Sequence, residues 1–247
     1  MLSRYLLELS SDGHSPLTVR EYAATIRRWE QSGLSPVDYL ATIRVKPSTR
    51  TMRGLVLRRY LTWEAARNGT KNPLAGLHFK APIPCPERPF TQVEIDAMLV
   101  VSLSNHERAV IICLLRLGVR ASELAAVRLG DIDGDTVIIR RGKGGKPRTL
   151  AATGEVGPCL EAVASARLAY QAIYRMVRAV GRRAGVVGVH PHRFRYTFAC
   201  CFLEAGGDVL ALQTLLGHSD LSMTRRYVQF NEGMRALEAH RRFLQGA

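Results

Sequence analysis

A proline-rich segment near residue 85 constrains the fold more than any other feature of this sequence. Four prolines stand within the eight positions 82–89. Because proline lacks a backbone N–H and fixes φ, such a run interrupts helices and strands and forms an extended, fairly stiff connector. Helical patterns lie on both sides of it. The segment therefore predicts two domains, residues 1–80 and residues 91–247, joined by a linker at 81–90.

Residues 1–80 carry the signals of a small helical module. Serine followed by proline occurs at positions 15–16 and again at 35–36, which is typical of a helix that starts with a serine N-cap and proline in its first turn. A longer helix begins at Ser48, and Gly69 is its expected C-cap. These caps and the apolar spacing predict a four-helix domain whose clearest helices are 17–29, 37–43 and 48–68.

Residues 91–247 are predicted to be mainly helical with one β-hairpin. Thr91 and Glu94 have the spacing of a capping box. The β-branched run 136–139 and the segment 147–150 flank a glycine-rich turn at 142–146, which favours a hairpin. Apolar periodicity predicts the remaining helices: 106–117, 119–124, 156–165, 167–184, 192–204, 209–216, 221–228 and a tail at 232–244. The expected fold class is mainly α with a small β-hairpin or sheet.

The net charge indicates a polyanionic partner. The chain carries 35 Lys and Arg against 21 Asp and Glu, which gives +14 and a pI near 10.2. Residues 1–82 hold 13 basic and 6 acidic side chains and residues 83–247 hold 22 and 15, so the excess is shared equally. Two basic domains favour double-stranded DNA held between them. A basic protein with no nucleic-acid role is the alternative on charge alone.

The five cysteines and the apolar runs indicate a cytoplasmic protein. The cysteines form no C-x-x-C pair and no zinc-type spacing with histidine, so we expect reduced thiols and no metal site. Arg116 interrupts the longest apolar run, 109–119, which excludes it as a membrane span. The N-terminus has no pattern of a basic segment followed by an apolar one, so no signal peptide is expected.

A cluster of histidine, arginine and tyrosine marks the last third of the chain. His192 and Arg195 stand three residues apart and share one helix face. His218 follows, and Tyr227 comes nine residues after it. Arginine binds phosphate oxygens with a planar fork, histidine transfers protons, and tyrosine supplies a nucleophilic oxygen. The set suits attack on a phosphate without a metal or a nucleotide.

Four sequence motifs in this domain resemble one enzyme family. They are Gly118–Leu124 (GVRASEL), Gly142–Lys146 (GKGGK), Pro191–Arg195 (PHRFR) and Leu216–Leu221 (LGHSDL), followed by Tyr227. In this order and spacing they look like the signature set of tyrosine recombinases, the phage-integrase and Xer-type enzymes. The resemblance covers about residues 90–230. Residues 1–80 are similar, more loosely, to the SAM-like core-binding domain of that family.

The resemblance implies a role for each matching residue. Tyr227 would attack a DNA phosphate and form a 3′-phosphotyrosyl link, while Arg120 and Arg195 would bind the non-bridging oxygens. Lys143 would protonate the departing 5′-oxygen. His192 would exchange a proton with the tyrosine, and His218 would hydrogen-bond the phosphate. No cofactor is implied, and we expect Glu123 to orient Arg120.

Several expectations and alternatives accompany this interpretation. The resemblance implies site-specific DNA recombination, in integration or excision of mobile DNA, by a homo-tetramer on two recombination sites. The apolar positions of the tail at 231–247 lead us to expect that it docks on a neighbouring subunit, as in relatives. A type IB topoisomerase uses the same chemistry, and a catalytically inactive DNA-binding regulator is the other alternative. Taken singly, each candidate residue also has a purely structural explanation.

The sequence departs from the family pattern in three places. Tyr196 replaces the usual histidine after the motif arginine, and we expect little chemical effect from this change. The interval from Lys143 to His192 is short for the family. We also expect no arm-type DNA-binding domain ahead of residue 1.

Overall fold

The computed structural model describes residues 1–79, 88–102, 104–140, 147–217 and 227–233, with positions 236, 240 and 244. Lys143, His218 and residues 81–87 of the predicted linker lie outside this part of the chain. The chain forms two compact units, Met1–Cys85 and Pro86–Ala247. Helices and one three-stranded antiparallel sheet make up the described elements, which confirms the mainly α class.

The described part of the N-terminal unit forms four helices, and two of them begin at the predicted serine and proline signals. Ser15 accepts a hydrogen bond from the Thr18 amide, and Ser35 accepts one from the Asp38 amide. Gly69 ends the last helix in the left-handed conformation, as predicted. That helix starts one residue before the predicted Ser48. The helices are α1 (Leu2–Ser11), α2 (Pro16–Ser32), α3 (Pro36–Thr42) and α4 (Pro47–Asn68).

An aromatic cluster holds α1 against α4. The rings of Tyr5 and Tyr60 lie 5.1 Å apart, and Trp63 lies 5.1 Å from Tyr5. The Trp63 indole N–H donates to Glu8 at 2.6 Å, so the polar end of this large ring is also satisfied. The cluster fixes the N-terminal helix on the longest helix of the unit.

The C-terminal unit places its sheet beside a bundle of helices. The strands are β1 (Ile132–Asp133), β2 (Thr136–Ile139) and β3 (Arg148–Ala151), in the order β1-β2-β3, with Val137 opposite Leu150. The helices are α5 (Gln92–Val100), α6 (Asn105–Leu117), α7 (Ala121–Ala126), α8 (Val156–Ala166), α9 (Tyr170–Arg183), α10 (Pro191–Glu204) and α11 (Val209–Leu216). Residues 129–131 form one 3₁₀ turn, and residues 227–233 are helical.

The central helix of this unit is α6, which packs against α8, α9 and α10. Its residues 109–114 are all buried. Gly118 ends it at φ 60°, and a Cβ at this position would lie 2.3 Å from the Phe198 ring. Glycine is therefore required both by the left-handed turn and by the close approach of α10.

Two predicted helix starts are wrong. The sequence predicted a helix from Arg167, but Arg167 adopts φ 47° and ends α8, and α9 begins only at Tyr170. The predicted helix from Val119 begins at Ala121, because Arg120 has the extended backbone of an N-cap residue. Both errors arise because apolar spacing continues across a residue that caps rather than continues a helix.

Within the described ranges, no helix is long and apolar enough to cross a membrane.

Candidate active site

The candidate site is built around the buried carboxylate of Glu123, in the first turn of α7. Its side chain is 1% exposed. Arg120 precedes the helix as its N-cap residue and donates its backbone N–H to Oε2 at 2.9 Å and its guanidinium to Oε1 at 2.8 Å. The expectation that Glu123 orients Arg120 is thus confirmed. The side chain of Arg120 remains 18% exposed, so it is the more accessible of the two partners.

A second arginine, Arg148 on β3, binds the same carboxylate. Its two terminal nitrogens donate to Glu123 at 2.8 and 3.2 Å, and Nε donates to the Leu215 carbonyl at 2.6 Å. Sequence reasoning missed this residue. The available signal was weak: Arg148 alternates with Leu150 on the inward face of the strand, a position that an apolar residue normally occupies.

These contacts keep Glu123 ionised. Burial raises the pKa of its carboxyl, but hydrogen bonds from Arg148 and from the backbone of Arg120, with the positive charge of both side chains, lower it more. The net result is a pKa below the ordinary value. The carboxylate therefore stays negative among arginines at neutral pH.

Arg195, on α10, is the third arginine near Glu123. Its side chain is 1% exposed, and Nη1 lies 3.9 Å from the carboxylate. The two terminal nitrogens donate to the carbonyls of Gly118, at 2.7 Å, and Leu216. Burial and then the nearby positive charge of Arg120 lower the pKa of Arg195 to about 10, although Glu123 and Tyr227 raise it. The guanidinium is therefore charged at neutral pH.

His192 stands one helical turn before Arg195 on α10 and is exposed. It opens onto a cavity of about 390 Å³ that Arg120 also lines. The half-exposed rings of Tyr170 and Tyr174 line the same space. The full lining is Arg120, Ala121, Ser122, Tyr170, Tyr174, His190, Pro191 and His192. Arg120, at the start of α7, and His192, on α10, thus line a common cavity.

Tyr227 lies in the described helical stretch 227–233 and is 6% exposed. Its ring packs edge-on against Tyr196 at 5.2 Å. Four residues later, Asn231 donates to the Cys200 carbonyl at 3.2 Å. The segment therefore packs on α10, the helix that carries His192 and Arg195. Tyr196, which departs from the family pattern, supplies part of that contact.

Arg193, between the two motif residues of α10, points away from the site. Its guanidinium donates to the carbonyls of Arg88 and Val187 and to Glu94, and it stacks 3.9 Å from the centre of the Phe90 ring. It is 4% exposed. Its contacts fix the start of the C-terminal unit on α10, so its role is structural.

Four of the six predicted catalytic residues can therefore be located: Arg120, His192, Arg195 and Tyr227. Arg120 and Arg195 share Glu123, and Tyr227 is near enough to Arg195 to affect its pKa. In the described ranges, no three His, Cys, Asp or Glu side chains are grouped as metal ligands would be.

A sequence model of the phage integrase family matches residues 90–234, more than half of the chain. The chain belongs to the phage integrase family. Within this family, the tyrosine recombinase XerA of Thermococcus onnurineus is 27% identical to it over 277 residues, covering 100% of this chain and 96% of XerA. The family resemblance inferred from the four motifs is thus confirmed.

Two solved structures share the fold. A lambda integrase dimer (residues 75–356) bound to a COC′ core site has a TM-score of 0.74 at 18% identity and covers 92% of this chain and 93% of that one. A lambda integrase tetramer bound to a Holliday junction has a TM-score of 0.71 at 16% identity, with coverage of 89% and 76%. The phage integrase fold thus extends over both units of the chain.

Proposed function

We propose that this protein is a site-specific DNA recombinase that breaks and rejoins DNA through a covalent link to Tyr227. Membership of the phage integrase family and the XerA-type relatives support this activity. The observation that supports the residue assignment is geometric: Arg120 and Arg195 share Glu123, and the Tyr227 ring packs 5.2 Å from Tyr196, the residue after Arg195 on α10.

In the proposed reaction, the Tyr227 hydroxyl oxygen attacks the phosphorus of a DNA phosphodiester. The bond from phosphorus to the 5′-oxygen breaks, and a 3′-phosphotyrosyl bond forms. His192 receives the phenolic proton, and Lys143 delivers a proton to the departing 5′-oxygen, leaving a 5′-hydroxyl. Attack of a 5′-hydroxyl on the phosphotyrosine reverses these steps, so rejoining consumes no nucleotide.

The charge of the site suits the transition state of this reaction. Three guanidiniums, those of Arg120, Arg148 and Arg195, surround one carboxylate, which leaves two positive charges in excess. Negative charge on the phosphate oxygens becomes more concentrated during attack, and preorganised cations stabilise it. We assign the non-bridging oxygens to Arg120 and Arg195, with a further hydrogen bond from His218.

The proposed partners are duplex DNA and three further copies of the chain. The equal positive charge of residues 1–82 and 83–247 supports contact with DNA by both parts. Lambda integrase, which shares the fold, forms a tetramer on a Holliday junction, and this supports a tetramer on two recombination sites. A reaction on DNA is consistent with a cytoplasmic location.

We further propose that the C-terminal tail, residues 231–247, docks on a neighbouring subunit. A truncation that removes 234–247 tests this and keeps Asn231, which anchors the preceding segment to α10. We expect the truncated protein to bind DNA and form the tyrosine link but to lose strand exchange. Full strand exchange by the truncated protein would contradict the docking.

A covalent trap tests the proposed function. The protein is mixed in EDTA with nicked duplexes from the DNA that flanks its gene, and the products are separated on a denaturing gel beside Tyr227→Phe. We expect a protein–DNA band in the wild type and none in the variant. A band that persists in the variant would assign the nucleophile elsewhere, and DNA binding without a band in either protein would indicate a non-catalytic binder. Equal relaxation of plasmids with and without the site would indicate a topoisomerase.

A further inference from the structure

Arg148 is buried in the C-terminal unit and joins two parts of the site. Its side chain is 5% exposed. One edge of the guanidinium makes two hydrogen bonds to Glu123, and Nε donates to the carbonyl of Leu215 in the last turn of α11. Only arginine can make this set of hydrogen bonds, because its three nitrogens donate in different directions in one plane. Lysine carries all its donors on a single nitrogen. Arg148 thus links the carboxylate that holds Arg120 to the end of another helix.

The end of α11 receives a second guanidinium. Arg195 donates to the Leu216 carbonyl, so two consecutive carbonyls in this turn each bind a buried arginine. The last carbonyls of a helix have no partner within the helix and carry partial negative charge. Buried cations therefore satisfy these groups and hold α11 in place.

Arg148 also limits which residue can follow this turn. Gly217 caps α11 at φ 63°, and a Cβ at this position would lie 3.0 Å from the Arg148 Nη1 atom. Glycine at position 217 thus accommodates both the left-handed backbone and the guanidinium. The two arginines consequently hold the last turn of α11 and lie against the glycine that ends it.

We propose that Arg148 is a positioning residue for strand cleavage. Through Glu123 it fixes Arg120, and through Leu215 it fixes the end of α11. All three of its guanidinium nitrogens donate to Glu123 or Leu215, so we assign it no phosphate contact. The inference rests on the proposed function, because it assigns Arg148 to the cleavage step of that reaction.

The test compares Arg148→Lys and Arg148→Gln with Arg116→Lys and Arg116→Gln in the full-length protein. Arg116 is the matched control because its pair with Glu155, at 3.7 Å, is exposed on both sides. Single-turnover cleavage of a nicked duplex at saturating protein is measured beside DNA affinity and thermal melting. We expect Arg148→Lys to fold and bind DNA within about twofold of the wild type. Its cleavage should be slower by about a hundredfold, since a misplacement near 1 Å has an effect of that order.

The pH profile of cleavage separates positioning from a general loss of structure. Arg120, Arg148 and Arg195 face the Glu123 carboxylate from α7, β3 and α10. Without Arg148, Glu123 takes up a proton at a higher pH and releases Arg120. As the pH is lowered, the cleavage rate of Arg148→Gln should therefore begin to decrease at a higher pH than the cleavage rate of the wild type. A profile of unchanged shape, or wild-type cleavage by Arg148→Lys, would overturn the proposal.

Amide hydrogen exchange at residues 209–217 measures the contact without DNA or activity. We expect faster exchange in the last turn of α11 in Arg148→Lys and no change in Arg116→Lys. Unchanged exchange would show that Arg148 does not hold the helix end and would overturn the proposal, whatever the activity of the protein. A wild type that forms no covalent link would instead refute the proposed function, and exchange still reports on the contact in that case.

Discussion

Replacing Glu123 with glutamine tests the charge balance on which the site depends. The change keeps the shape of the side chain and removes its negative charge. Arg120 and Arg148 each lie 2.8 Å from the carboxylate, and Arg195 lies 3.9 Å from it. The guanidiniums of Arg120, Arg148 and Arg195 would then share a single amide oxygen as acceptor. The amide N–H₂ group of the glutamine is itself a donor and would point at the N–H donors of the arginines.

The expected loss of stability follows from this geometry. Removing one partner of a buried ion pair costs about 3–5 kcal/mol, because the remaining charge is left uncompensated. For a unit of this size each kcal/mol lowers the melting temperature by roughly 2–4 °C, so we expect a decrease of about 10 °C. Glu155→Gln is the matched control, since its pair with Arg116 is exposed and its loss should change stability by less than about 1 kcal/mol.

The unfolding assay can report on the two units separately. Trp29 and Trp63 are the only two tryptophans, and both lie in the N-terminal unit. Tryptophan fluorescence therefore follows that unit in urea, while far-ultraviolet circular dichroism follows the helices of both. In Glu123→Gln the dichroism transition should move to lower urea while the fluorescence transition stays in place.

The pH dependence provides a second check on the same variant. The pKa of Glu123 is lowered in the folded protein from an ordinary value of 4.5. Its carboxylate therefore stabilises the fold fully above about pH 4.5, and this contribution is lost as the pH falls through the lower folded pKa. The stability difference between wild type and variant should be constant from neutral pH to about 4.5 and narrow below it. A difference under about 1 kcal/mol at pH 7, or no narrowing in acid, would refute the reasoning.

Three further changes test the supports of the site. Gly118→Ala should destabilise the protein by about 1–3 kcal/mol in thermal melting, because the new methyl group meets the Phe198 ring in a left-handed turn; an unchanged melting temperature would contradict this. Asn231→Ala removes the hydrogen bond to the Cys200 carbonyl, so a thiol reagent should label the buried Cys200 faster, as measured by mass spectrometry. Tyr196→Ala should slow cleavage by about thirtyfold, because it loses two ring contacts worth roughly 1 kcal/mol each, whereas Tyr196→Phe keeps both contacts and should cleave like the wild type.

The sequence predicts helix ends well where the signal is local. The serine caps at positions 15 and 35, the Thr91 capping box and the glycines at 69 and 118 all act within a few residues. Each satisfies backbone groups that the adjacent helix leaves open, so the motif alone determines the structure. Arg167 was assigned wrongly because a non-glycine residue seldom adopts a positive φ.

Buried arginines are the part of the structure that sequence reasoning could not predict. Arg148 binds Glu123, 25 residues away, and Arg193 binds the Arg88 carbonyl, 105 residues away, and no local pattern specifies such pairs. An arginine in a sequence is normally assigned to the surface or to a ligand. Only the structure shows that Arg148 and Arg195 lie at Glu123 in addition to the adjacent Arg120. It also shows that Glu94 and a stacked phenyl ring hold Arg193.

The two motif arginines therefore differ in what their replacement would report. Arg195 is almost fully buried and donates to the carbonyls of Gly118 and Leu216, so any substitution there removes support from the ends of α6 and α11 together with the proposed phosphate contact. Arg120 is anchored to its own first turn and faces the cavity beside His192. If replacing Arg195 abolishes cleavage, the loss reflects both the weakened fold and the missing phosphate contact, because the same guanidinium is assigned to both. Replacement of Arg120 by lysine keeps the charge and removes the fork, so its effect on cleavage reports on the pair with Glu123 and on the proposed phosphate contact.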